Sequence, residues 1–241
     1  MSRLLYIRHA QASFLKENYD QLSDLGYRQS AVLGKYLVQT GLMPDKIYIG
    51  PLQRHWQTYE KVREVYLEQG IPLPEPILLD GLREHQGMEV MARVLPQLVE
   101  RYVHARQWLK AAEADPATKR KNHLRIFTWF MQEWAADRLD IDHPDDLEPW
   151  SVFRENVRQG MEQIISDKEK GLTVAAFTSG GTIAASLGYV LEMTKEERVV
   201  ELNGKVKNTS ISSFLFSEGK VSLQSFNEVP HLVEKSLITY V

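Results

Sequence analysis

Cysteine is absent from the 241-residue chain, which removes disulfide scaffolds, thiolate zinc sites and thiol nucleophiles at once. Long apolar runs are missing too, and nothing approaches the roughly 20 residues that a membrane-spanning helix needs. The N-terminal run Leu4-Leu5-Tyr6-Ile7 stops at Arg8 and His9, too early for a signal-peptide core. Neither sign of charge prevails. Lys and Arg number 29 against 32 Asp and Glu, a net charge of -3, so there is no electrostatic footprint for nucleic acid or an anionic membrane. No His/Asp/Glu grouping has metal-ligand spacing, and internal repeats and low-complexity stretches are lacking. These absences point to a cytoplasmic protein with neither nucleic-acid nor membrane partners, and they carry no sign of oligomeric state.

What is present is an ordinary globular balance, 43% apolar and 25% charged. Short apolar runs alternate with amphipathic segments. Strands are expected at Arg3 to Ile7, Lys46 to Ile49, Ile77 to Leu79 and Leu172 to Phe177, with a late pair at Ser210 to Phe216 and Val221 to Phe226 around a turn at Gly219. Ser23 or Asp24 should cap a first helix that Gly41 ends, and a second should begin near Leu52 or Arg54. From Met88 to Glu169 the pattern is almost wholly helical, with breaks at Asp115 to Lys121 and His143 to Pro149. The aromatics of this stretch (Trp108, Trp129, Phe130, Trp134, Trp150) read as packing among helices, with lining of a pocket as the alternative. The expected fold is a three-layer α/β sandwich: a mostly parallel central sheet, helices on both faces, one domain over 1–241 and a helical insertion or cap over about 88–169.

Four motifs follow expected strands. Arg8-His9 sets a fixed cation beside an imidazole. Arg54 stands at a helix start, where backbone N–H groups favour anions and the guanidinium offers a planar fork for phosphate oxygens. Glu84 brings a carboxylate after the third strand. Thr178-Ser179-Gly180-Gly181 is a strand-to-helix turn whose amides face outward without a Cβ in the way. In a parallel sheet these ends share one edge, the edge where α/β proteins hold ligands.

The order and spacing of Arg8-His9-Ala10, Ser23-Asp24-Leu25-Gly26 with Gln29, Gly50-Pro51-Leu52-Gln53-Arg54 with Gln57-Thr58, Leu82-Arg83-Glu84, Thr178-Ser179-Gly180-Gly181 and Asn227-Glu228-Val229-Pro230-His231-Leu232 resemble the histidine phosphatase (phosphoglycerate-mutase-like) superfamily. The resemblance implies a cofactor-free phosphatase acting on a small phosphorylated metabolite. His9 would become phosphohistidine, Glu84 would protonate the leaving group, and Arg8, Arg54, Ser179 and Gly180 would hold the phosphate, with Gln11 and His85 as auxiliaries. The insertion would shape specificity.

Two departures stand out. Ala10 replaces the family's usual Gly, and Ser179 stands where the family has its second catalytic His, so a charge is missing. His85 is the expected substitute imidazole; His55 is read as facing either pocket or solvent, and His231 as structural. A weakly catalytic phosphate-ester-binding or regulatory protein is the main alternative. A phosphoglycerate mutase is a further one, and so is a serine hydrolase using Ser179 within half of a Gly-x-Ser-x-Gly pattern.

Overall fold

The computed structural model describes residues 1–13 and 20–240. In chain order its elements are β1 (Ser2–Arg8), α1 (Asp24–Gln39), β2 (Lys46–Ile49), α2 (Gln53–Glu68), β3 (Ile77–Leu78), α3 (Gly87–Arg101), α4 (Val103–Ala114), α5 (Pro116–Ala135), α6 (Trp150–Ile165), β4 (Thr173–Thr178), α7 (Gly180–Val190), α8 (Glu196–Asn203), β5 (Ile211–Ser217) and β6 (Lys220–Glu228). The sheet runs β3-β2-β4-β1-β5-β6. Its first four strands are mutually parallel, and β5 and β6 complete it antiparallel. This is the mostly parallel α/β sheet read from the sequence.

The two-residue period of a strand divides the core into two layers. Leu5 and Ile7 of β1, Ile47 and Ile49 of β2, and Ala175 and Phe177 of β4 pack with Leu33 and Leu37 of α1 and Tyr59, Val62 and Tyr66 of α2. The alternate residues Leu4, Tyr6, Tyr48, Val174 and Ala176 pack with Met161 and Ile164 of α6 and Ile183 and Leu187 of α7. Both faces are therefore covered by helices, which a parallel sheet requires.

Local chemistry sets the boundaries. Ser23 caps α1, its hydroxyl accepting from Gly26 N at 3.0 Å. Gly41, with φ of +67°, turns the chain away after it. Glu218 and Gly219 both have positive φ and join the paired Ser217 and Lys220 as a two-residue hairpin. The break expected over Asp115 to Lys121 shrinks to one residue. Asp115 caps α5 by accepting from Ala117 N at 2.9 Å, and Pro116 opens the helix. Lys119, Arg120 and Lys121 continue as helix, since long basic side chains are good helix formers.

The chain falls into two compact units, residues 1–84, 156–193 and 202–241 in one, 85–155 and 194–201 in the other. The first holds the sheet and its flanking helices. The second is helical and packs around aromatic side chains. One set joins Tyr102, Trp108 and Trp129 to His104, whose ring lies 4.4 Å from that of Trp129. Another joins Phe130, Trp134, Trp150 and Phe153. Packing among helices accounts for these aromatics. No helix among the described residues is long and apolar enough to cross a membrane.

Candidate active site

The parallel strands end at one edge, and that edge lies entirely within the first unit. Arg8 aligns with Thr178 across β1 and β4, and Ile49 of β2 aligns with Phe177. Arg8-His9, Gly50 to His55 and Thr178 to Gly181 therefore emerge side by side. Two further bonds pin the Glu84 segment to them: Thr178 Oγ1 donates to the Leu82 carbonyl at 2.7 Å and Thr182 Oγ1 to that of Arg83 at 2.6 Å. Glu84 then reaches the start of α7, where its Oε2 accepts from Gly181 N at 3.1 Å. That is where a negative group is most stabilised on a helix.

His9 is buried, and its tautomer follows from its neighbours. Nδ1 lies 2.7 Å from the Ala10 carbonyl oxygen, which can only accept, so Nδ1 carries the proton. Nε2 accordingly holds the lone pair and accepts from Arg54 Nε at 3.2 Å. Burial first, then the charges of Arg54 and Arg8 and the nearby His55, hold the His9 pKa well below its usual value, against the pull of the Ala10 carbonyl. The ring is neutral near pH 7, as a nitrogen nucleophile must be.

The cations are fixed from behind. Arg8 Nη1 donates to the carbonyls of Val206 and, at 2.7 Å, Tyr240. Its Nε lies beside Gly180, where a Cβ would stand 3.3 Å from it and 2.8 Å from Asn203 Oδ1, so a side chain there would make the Asn203 amide shift. Arg54 Nη1 donates to Asp20 Oδ1 at 2.8 Å. Asp20 also accepts from Gln53 N at 2.8 Å and so caps α2, a service that Leu52 at the cap position cannot perform. Sequence reasoning missed Asp20 because its partners lie more than thirty residues away.

Gln11 sits in the loop after His9, its backbone N–H donating to Gln29 Oε1 at 2.8 Å and its side-chain Oε1 accepting from Ser23 Oγ at 2.9 Å. Ala10 is tied to α2 by a 3.0 Å bond from its N–H to Thr58 Oγ1. His85, the expected substitute imidazole, belongs to the helical unit. His85 packs its ring against Phe153 at 5.5 Å and Trp150 at 5.7 Å within the helical unit. The imidazole that meets Ser179 is instead that of His55, with Nε2 2.7 Å from Oγ. His231, read as structural, is buried with Nε2 3.0 Å from Thr209 Oγ1. Among the described residues no group of three or more His, Asp or Glu could hold a metal ion.

An imidazole, two guanidiniums, a carboxylate and a helix N-terminus are thus gathered at one edge of the sheet. The profile of the histidine phosphatase superfamily (branch 1) matches residues 4–128 and 118–229, and the chain belongs to that superfamily. Solved structures agree on the fold. A phosphoserine phosphatase from Entamoeba histolytica, solved in complex with 3-phosphoglyceric acid, superposes with a TM-score of 0.61 at 19% identity, covering 97% of this chain and 100% of that one. YhfR of Bacillus stearothermophilus gives 0.64 at 19%, covering 96% and 100%. A mycobacterial glucosyl-3-phosphoglycerate phosphatase gives 0.57 at 17%, covering 93% and 98%. No curated protein matches the sequence.

Proposed function

We propose that the chain is a phosphatase that hydrolyses a small phosphorylated metabolite through a phosphohistidine. The observation that carries this reading is the state of His9, a neutral ring whose Nδ1 is anchored on a carbonyl and whose Nε2 lone pair faces a guanidinium. In the first step Nε2 attacks phosphorus, the bond to the leaving oxygen breaks, and Glu84 supplies that oxygen with a proton. In the second, water attacks the phosphohistidine, Glu84 takes its proton, and inorganic phosphate leaves with His9 restored. Arg8, Arg54 and the amides at Gly180 and Gly181 stabilise the charge on the phosphoryl oxygens, the dominant contribution in such transfers. Arg54 Nε lies on Nε2, so the incoming phosphoryl group must move it aside and take it as a ligand. The phosphate is the one assigned feature of the substrate.

Hydrolysis of an aryl phosphate by the wild type and by His9→Ala tests the proposal. A loss of at least a thousandfold is expected on removing the nucleophile; equal rates would end it. The ion pair between Asp20 and Arg54 favours one alternative, a weakly catalytic phosphate-binding protein, because a carboxylate already holds one arm of the fork. That reading predicts phosphate-ester binding without turnover. A mutase would exchange phosphoglycerate isomers on incubation. The serine-hydrolase reading draws on the contact between Ser179 and His55; labelling of Ser179 by a fluorophosphonate would be its signature, and no labelling would retire it.

A further inference from the structure

Ser179 occupies the N-cap of α7, and a serine there normally accepts from the second or third amide of its helix. It does not do so. Glu84 takes the Gly181 amide, and the Ser179 hydroxyl is turned to His55 Nε2 at 2.7 Å. Both residues have 0% exposure, so the pair is fully buried. The His55 ring centroid lies 5.7 Å from that of His9. Room for it comes from Gly50. A Cβ at that position would stand 2.8 Å from His55 Cε1, closer still to Nδ1, and 2.6 Å from the Leu82 carbonyl oxygen. Any side chain at 50 would thus force the ring or the Leu82 carbonyl to shift. The two partners come from different elements, His55 from the first turn of α2 and Ser179 from the β4–α7 turn.

We propose that Ser179 and His55 work as one composite phosphate ligand, in which the Ser179 hydroxyl donates to a phosphoryl oxygen while the His55 imidazole behind it takes up a proton and supplies positive charge. The inference rests on the phosphatase reading above. Ser179 is the group that touches the phosphoryl oxygen, and His55 is a positioning residue that acts through it. When the site holds no anion, burial first and then the charge of Arg54, with Arg83 adding to it, keep the His55 pKa well below its usual value, opposed by the Gly50 backbone. The cations whose charge acts on His55 are thus Arg54 on its own helix and Arg83 on the segment after β3. The neutral groups are His9, just after β1, and Ser179 from the β4–α7 turn. A phosphoryl group carrying up to two negative charges reverses that balance and draws a proton onto the ring. Nε2 then donates to Ser179 Oγ, and the hydroxyl proton turns toward the phosphate. Placed this way, an imidazole can serve the phosphate without standing at position 179 itself.

The test compares the wild type, His55→Gln and Ser179→Ala, with His9→Ala as control. Glutamine keeps most of the volume and a hydrogen-bonding end, but it cannot take the proton. Turnover of an aryl phosphate is expected to fall about 10²–10³-fold in His55→Gln, the typical effect of losing one preorganised charge-stabilising group. Calorimetry of inorganic phosphate binding at pH 7, in buffers of different ionisation enthalpy, counts protons taken up. The wild type is expected to exceed His55→Gln by roughly one. A structural role for His55 would lower activity without moving that count, so equal uptake overturns the proposal, as does wild-type turnover in His55→Gln. If His55→Gln fails to fold, Ser179→Ala carries the test, with the same turnover loss expected and full activity overturning it. Wild-type activity in His9→Ala would instead remove the underlying phosphatase reading, whatever the other variants do.

Discussion

Gly50→Ala adds a single methyl group at a position with no space for one. Its carbon would lie 2.8 Å from His55 Cε1 and 2.6 Å from the Leu82 carbonyl oxygen, roughly 0.7–0.9 Å short of the ~3.5 Å at which nonpolar atoms pack best. Neither neighbour moves easily. His55 is buried against Ser179, and the Leu82 carbonyl is already the acceptor of Thr178. Overpacking of this kind costs about 1–3 kcal/mol. A ring shifted by that distance would also lose its bond to Ser179. The assay is a double-mutant cycle over Gly50→Ala, His55→Ala and the pair, read by urea unfolding at pH 7. Removing the imidazole vacates the room the methyl needs, so the double variant should recover about 1 kcal/mol relative to additivity. Recovery stays incomplete because the Leu82 carbonyl remains. Additivity within ~0.3 kcal/mol would show that position 50 does not confine the ring, and the coupling between Gly50 and His55 would be wrong.

Two further outcomes are expected. Acid should destabilise the fold. Burial holds His231 at about 4, against about 6.5 in an unfolded chain. Between those values the unfolded state binds a proton that the native state refuses, so stability is full above about pH 6.5 and is lost as pH falls through the window. That one group contributes about 3 kcal/mol, and His9 and His55 act in the same direction. Urea midpoints at pH 7 and pH 4.5 measure it, and a His231→Gln variant with undiminished pH dependence would contradict the assignment. Asp20→Ala should cost at least about 1 kcal/mol through loss of the α2 cap, with a further loss because the buried Arg54 guanidinium gives up a carboxylate partner; an unchanged urea midpoint would mean the cap is not made in solution.

Much of the site was legible because its parts sit in short motifs next to period-two apolar runs. Arg8-His9, Arg54, Glu84 and Ser179-Gly180-Gly181 each follow a strand, and parallel strands must bring their ends to one edge. The layering was legible for the same reason, since alternate residues of β1, β2 and β4 serve opposite faces. One misreading came where charge misled. Lys119 to Lys121 looked like a break but continue α5, because exposed basic residues suit a helix. His85 adjoins Glu84 in sequence, and the structure adds that its ring packs against Trp150 and Phe153.

Sequence alone determined the fold class, the shared edge and the candidate anion ligands, because strand period, cap residues and glycine turns are local properties. Only the tertiary structure decided the contacts among them. The His9 tautomer depends on a carbonyl and a guanidinium that converge from β1 and α2. Asp20 reaches α2 across more than thirty residues, and His55 meets Ser179 across 124. Such pairings follow from how the helices settle on the sheet, which no local pattern encodes.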